Sequence, residues 1–469
     1  MILNMDRIKN IHLIGVGGCG VSAIAKILFQ MGYHVSGSDI KESSNTIRLK
    51  DLGVKVYIEH DASHVRGADM VVVSSAIDKD NPEIEEALSR NIQIIKRAEM
   101  LAWIMDRFKN RVAVAGTHGK TTTSSMIAKI FLDAQRDPSY LVGGETDYVD
   151  GNARLGKGPS IIAEADESDG SFMFLNPSVT VITNIEEDHM DYYGSFEKIV
   201  DMFSNYVGKF KGQGLVVIEA DHPNNRFIIE DKEINKVTYG FSDRADVRAV
   251  NAVFNKKYTA FDVINKGKML GQVKLSIPGR QNILNALAAL VVAMHLRISF
   301  SSVCSSLHSF SGARRRFQLI GEFNDVKVID DYAHHPTEVR VTLQAARLGW
   351  GPDRRIIAIF QPHRFSRTFH LASEFGSAFQ EADQVILTDI YSAGEKPIPN
   401  VDGRTLLREV ENHHKNVKYI KRKEKIADFL KDIVAPGDIV ITMGAGDIHT
   451  VCKELLARLK MKDNGPEKK

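Results

Sequence analysis

The chain has 469 residues, of which 43% are hydrophobic and 26% charged, a composition typical of a globular protein. This length is too great for one hydrophobic core and predicts about three domains. The 61 basic and 59 acidic side chains leave a net charge of +2, which gives no global reason to expect nucleic acid or a membrane as a partner.

Residues 1–108 alternate short apolar strands with helical segments, the rhythm of a parallel, Rossmann-like sheet. The predicted strands are residues 11–14, 34–38, 54–57 and 70–74, and the first predicted helix covers residues 21–31. We therefore expect an N-terminal α/β domain whose functional loops follow its strands.

A glycine loop, Gly15-Val16-Gly17-Gly18-Cys19-Gly20, lies between the first strand and the first helix. Its G-x-G-x-x-G spacing lets backbone N–H groups and a helix N-terminus bind a diphosphate. Asp39 ends the next strand, at the position of the ribose-binding acid in dinucleotide folds. The loop alone would suggest an NAD-dependent oxidoreductase, but a nucleotide sugar carries the same diphosphate. The predicted ligand-binding residues here are Gly15, Gly17, Gly18, Gly20, Ser38, Asp39 and Ser74.

Residues 109–313 predict a central α/β domain that begins with a phosphate-binding loop. The loop lies between an apolar strand at residues 112–115 and an apolar-periodic helix, so its backbone amides can cradle phosphate. Lys120 would reach the terminal phosphates, and the Thr121 hydroxyl would face Mg²⁺. A glycine-rich turn with a surface lysine is the structural alternative. The predicted nucleotide-binding residues are Gly116, Thr117, His118, Gly119, Lys120, Thr121 and Thr122.

Two acidic loops follow predicted strands of the central domain. One runs from Glu164 to Asp169, and the other, at residues 184–191, includes His189. One acidic loop is usually a solvated turn, but two at strand ends near a phosphate loop are placed to hold Mg²⁺. We therefore expect a magnesium site in this domain.

In the later part of the central domain, apolar residues recur at every second position, as in β-strands. Residues 247–254, 258–264 and 273–277 predict a small antiparallel sheet, with turns at residues 255–256 and 266–268. A strongly apolar helix is expected at residues 282–296.

Residues 314–469 predict a C-terminal, Rossmann-like α/β domain. Its predicted strands are residues 326–329, 355–360, 384–387 and 439–442, and its first predicted helix covers residues 336–348. The charged residues 460–469 have little to bury and predict a disordered tail.

Two polar loops follow strands of this domain, at residues 330–336 and 361–368. Arg364 and Arg367 are spaced to bind a carboxylate or phosphate from one side. The cluster Arg314-Arg315-Arg316 lies at the predicted domain boundary, where it would clamp phosphate. Exposed basic turns are the alternative, but strand C-termini are where open α/β sheets bind ligands.

Taken together, these motifs resemble the Mur ligases of peptidoglycan synthesis in all three segments. The matching runs are residues 12–18, 116–123, 164–169, 184–191, 278–280, 310–318, 330–338 and 361–368. The compact G-x-x-G-K-T loop is the form that this family uses. The resemblance implies three α/β domains and a ligase that uses ATP and Mg²⁺ to form an amide bond through an acyl phosphate.

The resemblance also implies roles for individual residues. The N-terminal domain would hold a UDP-sugar at the glycine loop, while Thr121, Glu164 and His189 would hold Mg²⁺. Asp331 would meet the ribose of ATP, Asn282 its adenine side and Arg316 its phosphates. The expected catalytic residues are Lys120, His189, Tyr332, His334, Arg364 and Arg367.

The details of two runs, residues 184–192 and 331–335, look more like the family form that joins L-alanine to the lactoyl carboxylate of UDP-N-acetylmuramate. The related recycling form, which attaches a whole tripeptide, is the first alternative. A second, an NAD-dependent oxidoreductase or nucleotide-sensing regulator, would leave Lys120 and the acidic loops unexplained.

We expect UDP-N-acetylmuramate and L-alanine as small-molecule substrates, no nucleic-acid or membrane partner, and a monomer or homodimer. The three cysteines show neither disulfide nor metal spacing, and the first residues lack the apolar segment of a signal peptide. The predicted location is therefore the cytoplasm.

Overall fold

The computed structural model describes residues 5, 7–146, 151–255 and 258–463. Three sheets with flanking helices give the α/β class that the sequence predicts. Contacts divide the chain into two compact units, of which the first comprises Met1–Arg248, Ile264–Leu270 and Asn285–Ser306. The second comprises Ala249–Val263, Gly271–Leu284 and Leu307–Lys469. The boundaries of the three domains expected from the sequence stay a prediction.

The first sheet has five parallel strands in the order β3-β2-β1-β4-β5. Its strands are β1 (Asn10–Ile14), β2 (His34–Asp39), β3 (Lys55–Ile58), β4 (Met70–Val73) and β5 (Gln93–Lys96). Its helices are α1 (Cys19–Gln30), α2 (Ser44–Asp51), α3 (Pro82–Ser89) and α4 (Arg97–Met105), with a 3-10 turn at Ala62–Val65. Of these elements, β5 has no counterpart among the predicted strands.

Helix α1 buries a continuous apolar face because its apolar side chains recur at helical spacing. Ile24, Ile27 and Leu28 are almost fully buried in one cluster that also contains Leu141 and Ala153 of the second sheet. Each such side chain contributes about 1.5–3 kcal/mol when it leaves water. The first two sheets therefore share a core inside one compact unit.

The second sheet has ten strands in the order β15-β14-β13-β12-β11-β10-β6-β9-β7-β8. Its strands are β6 (Asn110–Ala115), β7 (Ser139–Leu141), β8 (Ala153–Arg154), β9 (Ser160–Glu164), β10 (Val179–Ile182), β11 (Leu215–Glu219), β12 (Lys236–Gly240), β13 (Val247–Phe254), β14 (Thr259–Asn265) and β15 (Lys268–Leu275). Its helices are α5 (Lys120–Asp133), α6 (Met190–Tyr193), α7 (Phe196–Gly208), α8 (Arg226–Glu230), α9 (Arg280–His295) and α10 (Phe300–His308), with 3-10 turns at Ser171–Phe174 and Pro223–Asn225.

The three alternating segments predicted after residue 246 are strands β13 to β15. They form one end of the large sheet instead of a separate small sheet, because β13 pairs in parallel with β12 through Tyr239 opposite Val247. The predicted turn at residues 266–268 joins β14 to β15, whereas Lys256 of the other predicted turn lies outside the described residues.

The third sheet has six strands in the order β16-β17-β21-β18-β19-β20, antiparallel only at β16. Its strands are β16 (Gln318–Phe323), β17 (Val326–Asp331), β18 (Ile356–Phe360), β19 (Gln384–Leu387), β20 (Val417–Tyr419) and β21 (Ile439–Met443). Its helices are α11 (Pro336–Trp350), α12 (Phe365–His370), α13 (Ala372–Gly376), α14 (Gly403–Glu411), α15 (Ile426–Ile433) and α16 (Thr450–Asp463), with a 3-10 turn at Lys423–Lys425.

The predicted disordered tail is wrong in its first part, since helix α16 continues through residues 460–463. Leu455 and Leu459 bury the apolar side of this helix in a core cluster of the third sheet, which stabilises its last turns. Residues 464–469 of the predicted tail lie outside the described residues. Among the described residues, no helix combines the length and apolar character needed to span a bilayer.

The same topology places the candidate sites of all three sheets. In the first two sheets the candidate loops follow three adjacent parallel strands, β2-β1-β4 and β10-β6-β9, and in the third sheet they follow β17 and β18, the two neighbours of β21. Their carboxyl ends meet at one edge of the sheet, which is where open α/β sheets bind ligands.

Candidate functional site

The glycine loop after β1 is held by the end of β2. The N–H groups of Gly15 and Val16 both donate to the Ser38 carbonyl at 2.9 Å, and Gly15 has a φ of +81°, which favours glycine. The Gly17 N–H donates to Asp39 Oδ2 at 2.8 Å. The structure therefore brings these predicted residues together, with the Asp39 carboxylate bonded to the loop itself.

Ser38 faces a buried cluster behind this loop. Its hydroxyl donates to Glu83 at 2.5 Å, and His64 and His60 lie 2.8 and 3.3 Å from the same carboxylate. Burial alone would raise the pKa of Glu83, but its interactions with His12, Ser38 and His64 outweigh burial and lower the pKa to about 2. No local pattern in the sequence indicates this cluster, because its members are scattered along the chain.

The phosphate loop after β6 needs glycine at its first position. Gly116 has a φ of +120°, and a Cβ there would lie 2.2 Å from Thr183 Oγ1. Gly119 caps α5 at a φ of +84°, and a Cβ there would lie 2.6 Å from Asn285 Oδ1. Both glycines permit a tight loop that leads directly into the N-terminus of α5, the kind of helix start that binds anions.

Lys120 folds back over this loop. Its ammonium donates to the carbonyls of Gly116 at 2.6 Å and Thr117 at 3.1 Å, and to Glu167 Oε1 at 2.6 Å. Burial would lower the pKa of Lys120, but the Glu167 carboxylate outweighs burial and raises it. Burial raises the pKa of Glu167 to about 7, and the Tyr193 hydroxyl donates to its carbonyl. A charged ammonium is thus held beside the loop.

Thr121 and Glu164, two of the three predicted metal ligands, are in contact. The Thr121 hydroxyl lies 3.2 Å from Glu164 Oε2, and the Ser124 hydroxyl and the Gly143 N–H donate to the other carboxylate oxygen. The third, His189, has a φ of +55°, and its N–H donates to Asp188 Oδ1 at 2.8 Å. Hydroxyl and carboxylate oxygens are ligands that Mg²⁺ prefers.

The second acidic loop is hydrogen-bonded to the phosphate loop. The His118 N–H donates to Asn184 Oδ1 at 2.9 Å, and the Thr117 N–H donates to the Asn184 carbonyl at 2.9 Å. The Glu186 N–H donates back to Thr117 Oγ1 at 2.9 Å, while Thr122 is buried in the first turn of α5. Asn184 belongs to a recognised run, but the sequence alone assigned it no role.

A cavity of about 900 Å³ joins the glycine loop to the phosphate loop within the first unit. Five of the residues predicted to bind the UDP-sugar line it, together with two of the central domain's predicted residues: Gly15, Gly18, Gly20, Asp39, Ser74, Lys120 and Glu164. The glycine loop and Lys120 of the phosphate loop therefore open onto the same space.

In the second unit, Asp331 ends β17 with its carboxylate buried. It accepts hydrogen bonds from the N–H groups of Phe317 at 2.9 Å and Ala333 at 2.7 Å. Burial raises the pKa of Asp331 to about 6, although the Arg316 guanidinium opposes this shift. Arg316 also lies 5.2 Å from the centre of the Tyr332 ring, in range of a cation–π contact.

His334 connects the two predicted loops of the third sheet. Its Nδ1 lies 2.9 Å from the Tyr332 carbonyl and 3.3 Å from Glu338, and its ring centre lies 5.9 Å from that of His363. Arg367, only 9% exposed, reaches His363 Nδ1 at 3.4 Å. Tyr332, His334 and Arg367 thus lie in one chain of contacts at the carboxyl edge.

Two other predicted residues of the second unit have local partners. Arg364 has a φ of +70°, and its guanidinium lies 3.8 Å from Glu395. The Asn282 amide donates to the Pro278 carbonyl at 2.6 Å. These contacts fix both side chains but do not by themselves indicate a ligand.

Comparison with known proteins identifies the family. Three family models match the chain: the Mur ligase catalytic domain at residues 10–109, the middle domain at residues 114–293 and the glutamate ligase domain at residues 315–446. A UDP-N-acetylmuramate–L-alanine ligase of Geotalea uraniireducens is 47% identical over 97% of this chain and 99% of its own length.

Solved structures agree on the fold. The UDP-N-acetylmuramate-alanine ligase MurC of Thermotoga maritima superimposes with a TM-score of 0.82 at 30% identity, covering 97% of this chain and 99% of its own. A murein peptide ligase of Psychrobacter arcticus has the same fold, with a TM-score of 0.71 at 23% identity over 96% and 98% of the two chains. The chain belongs to the Mur ligase family.

Proposed function

We propose that this chain joins L-alanine to the lactoyl carboxylate of UDP-N-acetylmuramate at the expense of ATP, a step of peptidoglycan synthesis. The observation that carries this proposal is the cavity onto which the glycine loop and Lys120 both open. A diphosphate-binding loop facing a triphosphate-binding lysine suits a reaction between a nucleotide sugar and ATP. The names of the similar bacterial enzymes supply the amino acid.

The chemistry has two steps. The lactoyl carboxylate attacks the γ-phosphorus of ATP, the bond to the β-phosphate oxygen breaks, and ADP leaves. The amine of alanine then attacks the acyl carbon of the resulting acyl phosphate, loses its proton and displaces inorganic phosphate. Two anions approach each other in the first step, so compensating positive charge is the main catalytic requirement.

Lys120 meets this requirement. Its ammonium is held by two loop carbonyls and by Glu167, at distances of 2.6 to 3.1 Å. A γ-phosphate oxygen at the loop would replace one or more of these three hydrogen-bond acceptors. The ammonium then neutralises negative charge as the phosphoryl group is transferred. The N–H groups at the start of α5 would bind the remaining phosphate oxygens, whereas those of Thr117 and His118 donate to Asn184.

Thr121 and Glu164 would hold Mg²⁺, with His189 as a further ligand. The fit rests on the hydroxyl and carboxylate oxygens, which lie 3.2 Å apart beside the phosphate loop. When bound, the ion would neutralise charge on the β- and γ-phosphates.

Residues of the second unit have proposed roles toward ATP and the amino acid. Asp331 would bind the ribose, Asn282 the adenine side and Arg316 a phosphate. Tyr332, His334, Arg364 and Arg367 would surround the lactoyl carboxylate and the incoming alanine. Support comes from the contacts of Tyr332, His334 and Arg367 at the carboxyl edge of the third sheet.

The test is phosphate release from ATP in the presence of UDP-N-acetylmuramate, with L-alanine, glycine, L-serine or the recycling tripeptide as the acceptor. We expect L-alanine to support the fastest turnover. Glycine lacks only one methyl group, which is worth about 1–3 kcal/mol of discrimination, so slow turnover with glycine is also expected. Turnover with the tripeptide but not with alanine would replace this proposal by the recycling ligase.

We also propose that the enzyme works in the cytoplasm, as a monomer or homodimer, with domains at residues 1–108, 109–313 and 314–469. Cys19, Cys304 and Cys452 are thiols that form no disulfide, as a reducing compartment would keep them. Light scattering of the purified chain measures the oligomeric state directly.

A further inference from the structure

Arg97 is a cation at the sugar-nucleotide side of the cavity to which no role has been assigned. It is the first residue of α4, its side chain is 16% exposed, and it lines the cavity. A Cβ built on Gly20 would lie 3.0 Å from Arg97 Nη1, so the guanidinium lies directly against the glycine loop.

The same guanidinium reaches the central acidic loop. Its Nη2 donates to Asp166 Oδ2 at 3.0 Å, and the Asp166 side chain is 40% exposed. Because the Asp166 carboxylate is partly exposed at the cavity, a substrate anion that enters can compete with it for the guanidinium. Arg97 is therefore held in place without being committed to a buried partner.

Charge in the cavity supports a binding role for Arg97. Among the described residues that line the cavity, Arg97 is the arginine and Lys120 the lysine. The same lining contains five carboxylates: Asp39, Asp78, Asp80, Glu164 and Asp166. Lys120 faces the phosphate loop, which leaves Arg97 as the cation next to the glycine loop. The carboxylates repel a diphosphate that enters this surface, and a cation next to the glycine loop offsets part of that repulsion.

We propose that Arg97 binds the diphosphate of the sugar nucleotide, exchanging Asp166 for a phosphate oxygen when the substrate enters. The inference rests on the proposed function, which supplies the nucleotide sugar. The planar guanidinium can bind two phosphate oxygens side by side, which the point charge of a lysine cannot do. Arg97 would then fix where the sugar nucleotide lies between the two loops.

The experiment compares the calorimetric affinities of UDP-N-acetylmuramate, UDP and uridine for the wild type, Arg97→Gln and Arg97→Lys, without ATP. We expect Arg97→Gln to lower the affinities for UDP-N-acetylmuramate and UDP about 10- to 100-fold, since a charged hydrogen bond contributes about 1.5–3 kcal/mol. The affinity for uridine, which has no phosphate, should fall less than about 2-fold. Arg97→Lys keeps the positive charge but loses the planar guanidinium with its two parallel donors. This variant should lower the affinity for UDP by an intermediate factor.

Arg107→Gln is the matched control, because Arg107 lies on the surface two residues after α4 and stacks on Trp103. It should leave all three affinities unchanged. Equal losses for UDP and uridine in Arg97→Gln would assign Arg97 to structure alone, and unchanged affinity for UDP would also overturn the inference. A wild type that binds no UDP-N-acetylmuramate would instead contradict the proposed function.

Discussion

At the scale of single residues, Lys120 has the central role in the proposed catalysis, because its ammonium lies against the loop that would hold the triphosphate. Three acceptors surround it within 3.1 Å, and the Glu167 carboxylate keeps its pKa raised. The side chain is thus positioned and charged before a substrate arrives, as electrostatic stabilisation of a phosphoryl transfer requires.

We predict that Lys120→Ala lowers the rate of phosphate release at least about 10³-fold, because the first step loses its main cation. Affinity for UDP-N-acetylmuramate should change less than about 3-fold, because the glycine loop after β1 keeps its hydrogen bonds to the end of β2. Stopped-flow phosphate release and calorimetry measure the two quantities. Lys157→Ala, at an exposed position, is the control, and loss of both quantities in a folded Lys120 variant would contradict the separation of the two sites.

The sequence predicted many of these residues because glycine spacing and strand ends are local signals. The glycine spacing that begins at Gly15 and at Gly116 indicates a loop from a few neighbouring positions. Each of these glycines directly follows a parallel strand in the structure. The partners were harder to predict: Glu167 meets Lys120 across 47 residues, and Asn184 meets His118 across 66. Such pairings depend on strand order, which the local pattern does not contain.

At the scale of elements, the Glu83 cluster ties the start of α3 to the strands beneath the glycine loop. Ser38 comes from β2, His12 from β1 and His64 from the 3-10 turn. A buried carboxylate among these partners is stable only while it is charged and bonded. The cluster therefore couples the position of the β2 end to the protonation state of one side chain.

This coupling predicts a pH dependence of stability. The pKa of Glu83 is about 2 in the folded state against an ordinary 4.5, so its contribution is present above pH 4.5 and is lost as the pH falls toward 2. The full shift corresponds to about 3 kcal/mol, of which about 2 kcal/mol is lost by pH 3. The difference in the free energy of unfolding between the wild type and Glu83→Gln should therefore shrink by about 2 kcal/mol between pH 6 and pH 3.

Urea unfolding followed by tryptophan fluorescence measures this difference locally. The chain has two tryptophans, and a Trp350→Phe background leaves Trp103 of α4 as the reporter of the first sheet. A difference that stays constant with pH would mean that Glu83 is not charged in the folded protein.

Element prediction succeeded for many strands but missed others, including β11 and β16, which have five and six residues. The alternation in β13 to β15 was readable, but the three residues of β7 and the two of β8 were too few to show a period. The charge of the tail concealed an amphipathic helix, because Leu455 and Leu459 bury one face while lysines cover the other.

At the scale of the whole molecule, the residues proposed to bind the three ligands are distributed over three α/β sheets. Each sheet offers candidate loops at the carboxyl ends of its parallel strands. The first two sheets share a core and a cavity inside one compact unit, so the sugar nucleotide and the terminal phosphate of ATP would meet there. The sequence indicated three α/β segments in order but not that the first two share a core, because core contacts between segments leave no local pattern.

The central claim is that the lactoyl carboxylate takes the γ-phosphoryl group of ATP before the amide forms. The most direct test supplies UDP-N-acetylmuramate with ¹⁸O in both carboxylate oxygens, together with ATP and L-alanine, and analyses the released phosphate by ³¹P NMR or mass spectrometry. An acyl phosphate predicts one ¹⁸O atom in each inorganic phosphate, since the bridging oxygen leaves with phosphorus when the amine attacks. Unlabelled phosphate, or ¹⁸O recovered in AMP, would contradict the account.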